Sequence, residues 1–120
     1  MVQRDGYTLH RQSDPMRKID LTSYDVTIME KDQMTTVPYD VKGSIVNGLY
    51  HSELRLGYKE LFENDRIAQK VKNSDGFVLL EEAEYEKVKL VFETIRGFTK
   101  EDVELVRRVI EAPEVSVKEG

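Results

Sequence analysis

Residues 77–96, with the sequence FVLLEEAEYEKVKLVFETIR, contain the clearest pattern of secondary structure in the chain. After the first glutamates, apolar side chains recur at the spacing of one helix face, and the glutamates occupy the first turn, where the helix dipole favours negative charge. This spacing predicts a helix over 81–96 that ends at Gly97, a residue suited to the left-handed position after a helix. The preceding residues, Phe77–Leu80, fit either a buried strand or the entry to that helix.

A second helix is predicted directly after this one. Thr99 is a suitable N-cap, acidic residues occupy the first turn, and Pro113 ends the helical pattern. The helix should therefore span 100–111. The residues expected to face the core are Val103, Val106 and Ile110.

Alternating polar and apolar residues in the first third of the chain predict strands. The alternation extends over 18–29 and, after a polar break, over 34–37. We expect the two runs to pair as a hairpin with a loop of three to five residues. Near the end of the chain, residues 115–117 should add a final edge strand.

Two further helices are predicted between this hairpin and residue 77. Asp40 is a credible N-cap for a helix over 41–51 whose apolar residues share one face. Gly43 and Gly48 each weaken that helix by up to about 1 kcal/mol relative to Ala, and small residues inside a helix often mark a close approach by another backbone. The second of these helices should span 58–72.

These elements predict an α+β fold. A small, mostly antiparallel sheet, built from the N-terminal hairpin and short strands, should be packed by three to four helices. The length of 120 residues is typical of one domain. Residues 1–17 are polar and lack periodicity, so we expect a flexible N-terminal arm there and a single domain over 18–120.

The composition restricts the kinds of partner and site. There are 18 Lys and Arg residues against 23 Asp and Glu, and the net charge of −5 disfavours unspecific binding to nucleic acids or anionic membranes. The absence of Cys excludes disulfides, thiol catalysis and thiolate metal sites. No apolar run is long enough to span a membrane, and the first residues lack the apolar stretch of a secretory signal, so we expect a cytoplasmic protein.

The motifs of common enzyme and cofactor sites are missing from the sequence. The two histidines, His10 and His51, belong to no metal-binding motif, and no serine stands in the context of a nucleophile elbow. The glycines form no phosphate-binding loop. We therefore expect no catalytic residue, no metal ligand and no cofactor.

A protein-binding surface is the leading candidate for a site. Tyrosine is frequent at interface hot spots, and three tyrosines flank the predicted helix ends near the two helical glycines. The candidate interface residues are Tyr39, Gly43, Gly48, Tyr50 and Tyr58. The alternative is that the tyrosines are ordinary half-buried residues whose hydroxyls contact water. Because the edge of a hairpin can also accept a strand from another chain, we expect a protein partner or self-association into a homo-oligomer.

One alternative is a regulator that binds nucleic acid through the helical hairpin over 82–111, whose short turn resembles that of a helix-turn-helix. Its basic residues are Lys100, Arg107 and Arg108. The acidic first turn of the second helix would repel phosphate, which favours a helical hairpin that simply packs on the sheet. Another alternative is a small-ligand or enzymatic site assembled from residues distant in sequence.

Two stretches of the chain carry a resemblance to a known group of proteins. TVPYDVKGSIV at 36–46 looks like an extended segment that feeds a short helix, and VLLEEAEYE at 78–86 looks like a strand that runs into a charged helix. Together they resemble small accessory proteins of tailed bacteriophages and prophages, over about residues 36–117. The resemblance implies a non-enzymatic protein that acts in assembly or by binding a partner, and it assigns no functional residue.

Overall fold

The computed structural model describes residues 15–116 and confirms the predicted α+β fold. A three-stranded sheet, a separate two-stranded hairpin and four helices make up this part of the chain. The strands are β1 (Pro15–Asp20), β2 (Tyr24–Glu30), β3 (Gln33–Tyr39), β4 (Phe77–Leu80) and β5 (Glu114–Ser116). The helices are α1 (Val41–Leu49), α2 (Tyr58–Lys72), α3 (Glu82–Thr94) and α4 (Val103–Ile110), with short 3-10 turns at Ser52–Leu54 and Lys100–Asp102.

The three-stranded sheet has β1 at its centre, paired antiparallel with β4 on one side and with β5 on the other. Ile19 lies opposite Val78, and Met16 lies opposite Val115. The β2 and β3 strands pair only with each other within the described chain. The main sheet therefore combines strands from the beginning, the middle and the end of the described residues, and the predicted hairpin stands apart from it.

The helices turn their apolar sides into one core against this sheet. The Tyr85 hydroxyl donates to the carbonyl oxygens of Val109 and Ile110 at 2.7 and 3.0 Å, so α3 and the end of α4 are joined inside the core. The largest fully buried side chains include those of Tyr85, Ile19, Ile45, Leu49, Leu80 and Leu105.

Helix α1 begins where the sequence predicts. The Asp40 side chain accepts a hydrogen bond from the Gly43 N–H at 2.9 Å, as an N-cap should. Gly48 is the point of close approach between helices, because a methyl group in its place would lie 3.1 Å from Cγ1 of Val91 in α3. The sequence predicted a close approach by another backbone, whereas the atom closest to Gly48 belongs to the Val91 side chain.

The predicted single strand over 18–29 is wrong, because the chain turns between β1 and β2. The Asp20 carboxylate accepts hydrogen bonds from the Thr22 N–H at 2.9 Å and from the Thr22 hydroxyl at 2.7 Å. This local turn ends β1 and lets β2 leave the main sheet. Leu21, inside the turn, stays buried in the core.

Two predicted helix ends are also wrong. Helix α3 ends at Thr94, because Ile95 already has an extended backbone. Gly97 is left-handed, with a φ of 97°, but it lies in the following loop and not at the helix cap. Helix α1 ends at Leu49, two residues before the predicted end.

The buried side of α4 differs from the predicted one. Leu105 and Val109 are buried, whereas Val103 is 50% exposed and Val106 and Ile110 lie at the margin of the core. This short helix has apolar residues on two adjacent stripes, and the spacing alone favoured the wrong one. Part of the apolar stripe of Val103, Val106 and Ile110, which was predicted to be internal, is therefore exposed.

The two ends of the chain lie partly outside the described residues. Pro15 to Arg17, which the prediction assigned to the flexible arm, form the first half of β1 and pair with β5. The rest of the predicted arm, residues 1–14, and residues 117–120 lie outside the described range. The predicted final strand is present as Glu114–Ser116.

Candidate functional site, the β2–β3 hairpin

Within the β2–β3 hairpin, only Tyr24 and Tyr39 at its base are among the residues that pack against the core. Its strands are seven residues long and pair along their whole length. Lys31 and Asp32 form a two-residue turn in which both residues have a positive φ, 49° and 65°, the conformation that matches the twist of a hairpin. The predicted loop of three to five residues is therefore too long.

One face of the hairpin is apolar. Val26 lies opposite Val37, and Ile28 lies opposite Thr35. These side chains are half-buried, and none of them belongs to the core cluster or packs against it. Beyond Tyr24 and Tyr39 at the base, none of the apolar side chains on this face packs against the core formed by residues 15–116.

Two methionines add apolar surface near the tip, on the other face of the hairpin. Met29 and Met34 are cross-strand neighbours and are 66% and 61% exposed. Methionine is flexible and polarisable, and it is common at binding surfaces that adapt to a partner. The outer half of the hairpin therefore presents apolar groups on both faces.

The base of the hairpin, by contrast, is held firmly on α4. The rings of Tyr24 and Tyr39 stack with their centroids 4.8 Å apart and an interplanar angle of 11°. The Tyr24 hydroxyl donates to the Glu101 carbonyl oxygen at 2.6 Å and accepts from the Leu105 N–H at 3.2 Å. The Tyr39 hydroxyl donates to the Asp102 carboxylate. Both strands are thus anchored at the start of α4.

The Tyr39–Asp102 contact shifts the titration of both groups. Burial and the hydrogen bond to the Asp102 carboxylate raise the pKa of Tyr39 to about 12. Burial alone would raise the pKa of Asp102, but hydrogen bonds from Thr99 and Tyr39 outweigh it and lower that pKa. The anchor therefore consists of a neutral phenol and an ionised carboxylate over a wide pH range.

A largely buried arginine fixes the connection between β1 and the hairpin. Arg108 Nη1 donates to the Thr22 carbonyl oxygen at 2.6 Å, and its guanidinium carbon lies 5.2 Å from the centroid of the Tyr24 ring. Its Nε atom also contacts a Glu104 carboxylate oxygen at 3.0 Å. The side chain is 15% exposed, so these contacts hold it on the inner side of the hairpin base.

These contacts weigh against the nucleic-acid alternative. Of its three basic residues, Arg108 is taken up by the contacts at the hairpin base, and Arg107 pairs with Glu104 at 2.8 Å. Lys100 is exposed in the 3-10 turn before α4, next to the acidic residues of that turn. Lys100 and Arg107 are exposed, but both lie beside acidic side chains, and only Arg108 is withdrawn from the surface.

Three of the five predicted interface residues have roles within the chain. Tyr39 is half-buried in the anchor just described. Gly43 donates its N–H to the N-cap of α1, and Gly48 is buried against α3. Their surfaces belong to the packing of this chain more than to a free interface.

The other two predicted interface residues are exposed. The Tyr50 hydroxyl donates to Asp65 at 2.5 Å, which ties the end of α1 to α2. Tyr58 is 69% exposed and packs edge-on against Phe62, with the ring centroids 6.1 Å apart. The five residues are therefore divided between the core, the hairpin base and the surface.

A cavity of about 280 Å³ lies beside the hairpin base, and His51, Arg96 and Asp102 are among its lining residues. His51 Nδ1 accepts from the Glu53 N–H at 3.1 Å, and Arg96 Nη1 donates to the Glu93 carbonyl oxygen at 3.1 Å. Asp102 is engaged in the anchor. These three polar side chains already stabilise the fold, so they offer little support for a small-ligand site.

A second cavity, of about 380 Å³, follows the exposed side of α4. Its apolar lining comes from the stripe that the sequence predicted to face the core, together with Phe98, whose ring stacks on Phe92 at a centroid distance of 5.8 Å. It is an open groove on the surface of the helical part of the molecule.

Neither a metal site nor a membrane-spanning segment is found in the part of the chain that the structure describes. Within residues 15–116, no group of three or more His, Asp or Glu side chains is placed to hold a metal ion. No helix in this range is long and apolar enough to cross a membrane. His10 lies outside the described residues.

The residues that define the hairpin surface were not among the predicted interface residues; they are Val26, Ile28, Val37, Met29 and Met34. Their alternation predicted the strands and their two faces, but periodicity does not tell whether another element covers the apolar face. One signal was available. After the hairpin the chain enters a capped helix at once, so no third strand follows it directly in the sequence.

No protein-family model, curated protein or solved structure is found to match this chain. A function for this chain can therefore be inferred only from its own structure, above all from the hairpin and its base.

Proposed function

We propose that this chain is a non-enzymatic interaction protein, and that the β2–β3 hairpin is the surface that contacts its protein partner. The observation that supports the proposal is the apolar face of Val26, Ile28 and Val37, which no other described element covers. A two-stranded hairpin is marginally stable in water unless a further strand or helix packs against it. A partner would supply that packing and remove the apolar face from water.

The anchor at the base supports the same proposal. Tyr24 and Tyr39 hold both strands on α4, so the hairpin leaves the body of the molecule in a fixed direction. A surface that is already ordered loses less conformational entropy on binding than a mobile loop does. The hairpin thus combines exposed apolar groups with a defined orientation, as a recognition element requires.

The resemblance of residues 36–46 and 78–86 to phage accessory proteins favours a role in assembly. In that role the proposed location is the cytoplasm of the host cell. The partner on the hairpin surface is either a second copy of this chain or a different protein. The mass of the purified chain in solution distinguishes self-association from binding to another protein.

Photo-crosslinking from the hairpin tests the proposal. We expect Ile28→benzoylphenylalanine to give a defined protein adduct in host cells, because the apolar face lies against the partner. The matched control, Glu86→benzoylphenylalanine on the exposed surface of α3, should give no such adduct. Adding Val26→Lys and Val37→Lys to the first variant should remove the adduct.

The proposal fails if the hairpin probe gives no adduct, or if the α3 probe gives the same one. Light scattering on the purified chain at several concentrations completes the test. A stable multiple of 13.9 kDa identifies a second copy as the partner.

A further inference from the structure

We infer that the partner binds as an extended strand along the free edge of β2, and that this strand alternates apolar with polar residues and has a basic residue beside Asp25. The inference rests on the proposed function and specifies which edge is used and what chemistry it accepts. Three observations support it: the direction of the backbone groups on the two edges, the pattern of side chains beside β2, and the charge of the hairpin.

The register determines which backbone groups point outward. In an antiparallel pair, hydrogen-bonded and non-hydrogen-bonded residue pairs alternate. The two-residue turn makes Glu30 and Gln33 a hydrogen-bonded pair. Asp25 and Pro38 lie five pairs further along the ladder, so the alternation makes them a non-hydrogen-bonded pair. Proline, which has no N–H, therefore stands where the ladder requires none.

The same count distinguishes the two edges of the hairpin. On β2, the N–H and C=O groups of Asp25, Thr27 and Met29 point away from β3, and no backbone hydrogen bond joins them to another described residue. The outward positions of β3 are Met34, Thr36 and Pro38. Pro38 has no N–H, so the outward edge of β3 lacks one hydrogen-bond donor, whereas the outward edge of β2 has all of its donors and acceptors. We therefore assign strand addition to the edge of β2.

The side chains beside this edge select an alternating strand. Val26 and Ile28 both lie on β2 and point to the apolar face. A strand added at this edge would place every second side chain on that face, next to these two residues. An alternating apolar pattern in the partner would therefore extend the face and cover its open side.

The charge of the hairpin selects the partner further. Residues 24–39 contain the acidic side chains Asp25, Glu30 and Asp32 and a single basic one, Lys31. Opposite charges on neighbouring strands stabilise a pair, and like charges destabilise it. A second copy would bring a further net charge of −5, so the charge favours a basic segment of another protein.

Two matched proline variants test the edge. Thr27 and Thr36 face each other across the hairpin at a non-hydrogen-bonded position, and both are exposed. Thr27→Pro removes an outward N–H from β2, and Thr36→Pro removes the equivalent one from β3, while neither removes a bond of the hairpin itself. The probe is a displayed library of random peptides of about twelve residues, long enough to span β2.

We expect the selected peptides to alternate apolar and polar residues and to contain Lys or Arg. They should bind Thr27→Pro at least about tenfold more weakly than the unmodified chain and bind Thr36→Pro within about twofold of it, because only the first loses a ladder bond to the peptide. Asp25→Lys should also weaken their binding. Nuclear magnetic resonance spectra of both proline variants should retain the cross-strand contacts of the hairpin, which shows that it still folds.

Three results would overturn the inference. The first is a library that yields no binder, and the second is a set of binders that Thr36→Pro weakens as much as Thr27→Pro. The third is slow amide exchange at Thr27 in the isolated protein, which would mean that the chain itself or a second copy already covers this edge. If the crosslink from Ile28 forms but Thr27→Pro has no effect, the interaction function stands and only the strand-addition mode fails.

Discussion

The body of this molecule and its hairpin use apolar residues in opposite ways. In the body, four helices and a three-stranded sheet enclose their apolar side chains, and Ile45 is completely buried. In the hairpin, Ile28 has the same chemistry but lies on a face that no described element covers. Ile45 lies in a helix and is enclosed by the rest of the chain, whereas Ile28 lies in a strand whose apolar face the described chain leaves open.

If the proposed function holds, the body supplies the stability of the molecule and the hairpin supplies its binding surface. We expect most of the free energy of folding to come from the enclosed core. We expect the hairpin to contribute little of that free energy beyond its base. A region that the fold can do without is free to expose apolar groups for recognition.

The largest expected effect separates the two isoleucines. Ile45→Ala should lower the free energy of unfolding by about 2–5 kcal/mol, because it leaves a cavity in a closed core. Ile28→Ala should lower it by less than about 1 kcal/mol, since its surroundings are already open to water. Urea unfolding followed by circular dichroism measures both. Equal losses would mean that the hairpin face is covered in the isolated chain.

A second test compares two tyrosine hydroxyls. Tyr85→Phe should cost about 1–2 kcal/mol of unfolding free energy, because it removes a buried donor from the Val109 and Ile110 carbonyls. Tyr39→Phe should cost less, since Asp102 keeps its hydrogen bond from the Thr99 N–H at 2.8 Å.

Amide exchange locates these two effects. Tyr39→Phe should speed exchange mainly in the hairpin, whereas Tyr85→Phe should speed it throughout the body. Tyr58→Phe, at an exposed position, is the control and should change neither. A uniform increase in exchange for Tyr39→Phe would contradict a separate hairpin unit.

The smallest expected effect is a dependence on alkaline pH. The pKa of Tyr39 is raised to about 12, while an unfolded tyrosine titrates near 10. The neutral phenol therefore stabilises the fold fully below about pH 10, and this contribution is lost as the pH rises towards about 12. The gap in unfolding free energy between the unmodified chain and Tyr39→Phe should narrow over that interval. A gap that stays constant would show that Tyr39 is not coupled to the Asp102 carboxylate.

Much of the body could be predicted from local patterns. Helix α2 begins and ends where predicted, at Tyr58 and Lys72, because a run of good helix formers lies between polar breaks. Asp40 correctly marks the start of α1. The buried stripe of α4 was predicted wrongly, because the choice between two apolar stripes depends on distant contacts such as the hydrogen bond from the Leu105 N–H to Tyr24.

The candidate site was less accessible to sequence reasoning. The alternation over 18–29 continues across the turn at Asp20 and Thr22, so one strand was predicted where two are present. The Asp20 side chain that makes this turn was a local signal that could have been used. The exposure of the hairpin face follows from the absence of a covering element within the described chain, and no pattern inside residues 24–39 encodes it.

The position of β1 has a consequence for how the protein is made. Residues 15–20 are synthesised long before β5, the strand that pairs with one side of β1. Until then one side of β1 presents unpaired backbone groups, which is the situation that invites wrong pairing with other nascent chains. A chain truncated before residue 114 would lack β5, so β1 would pair with β4 alone. The three-stranded sheet can therefore be completed only after Glu114–Ser116 has been synthesised.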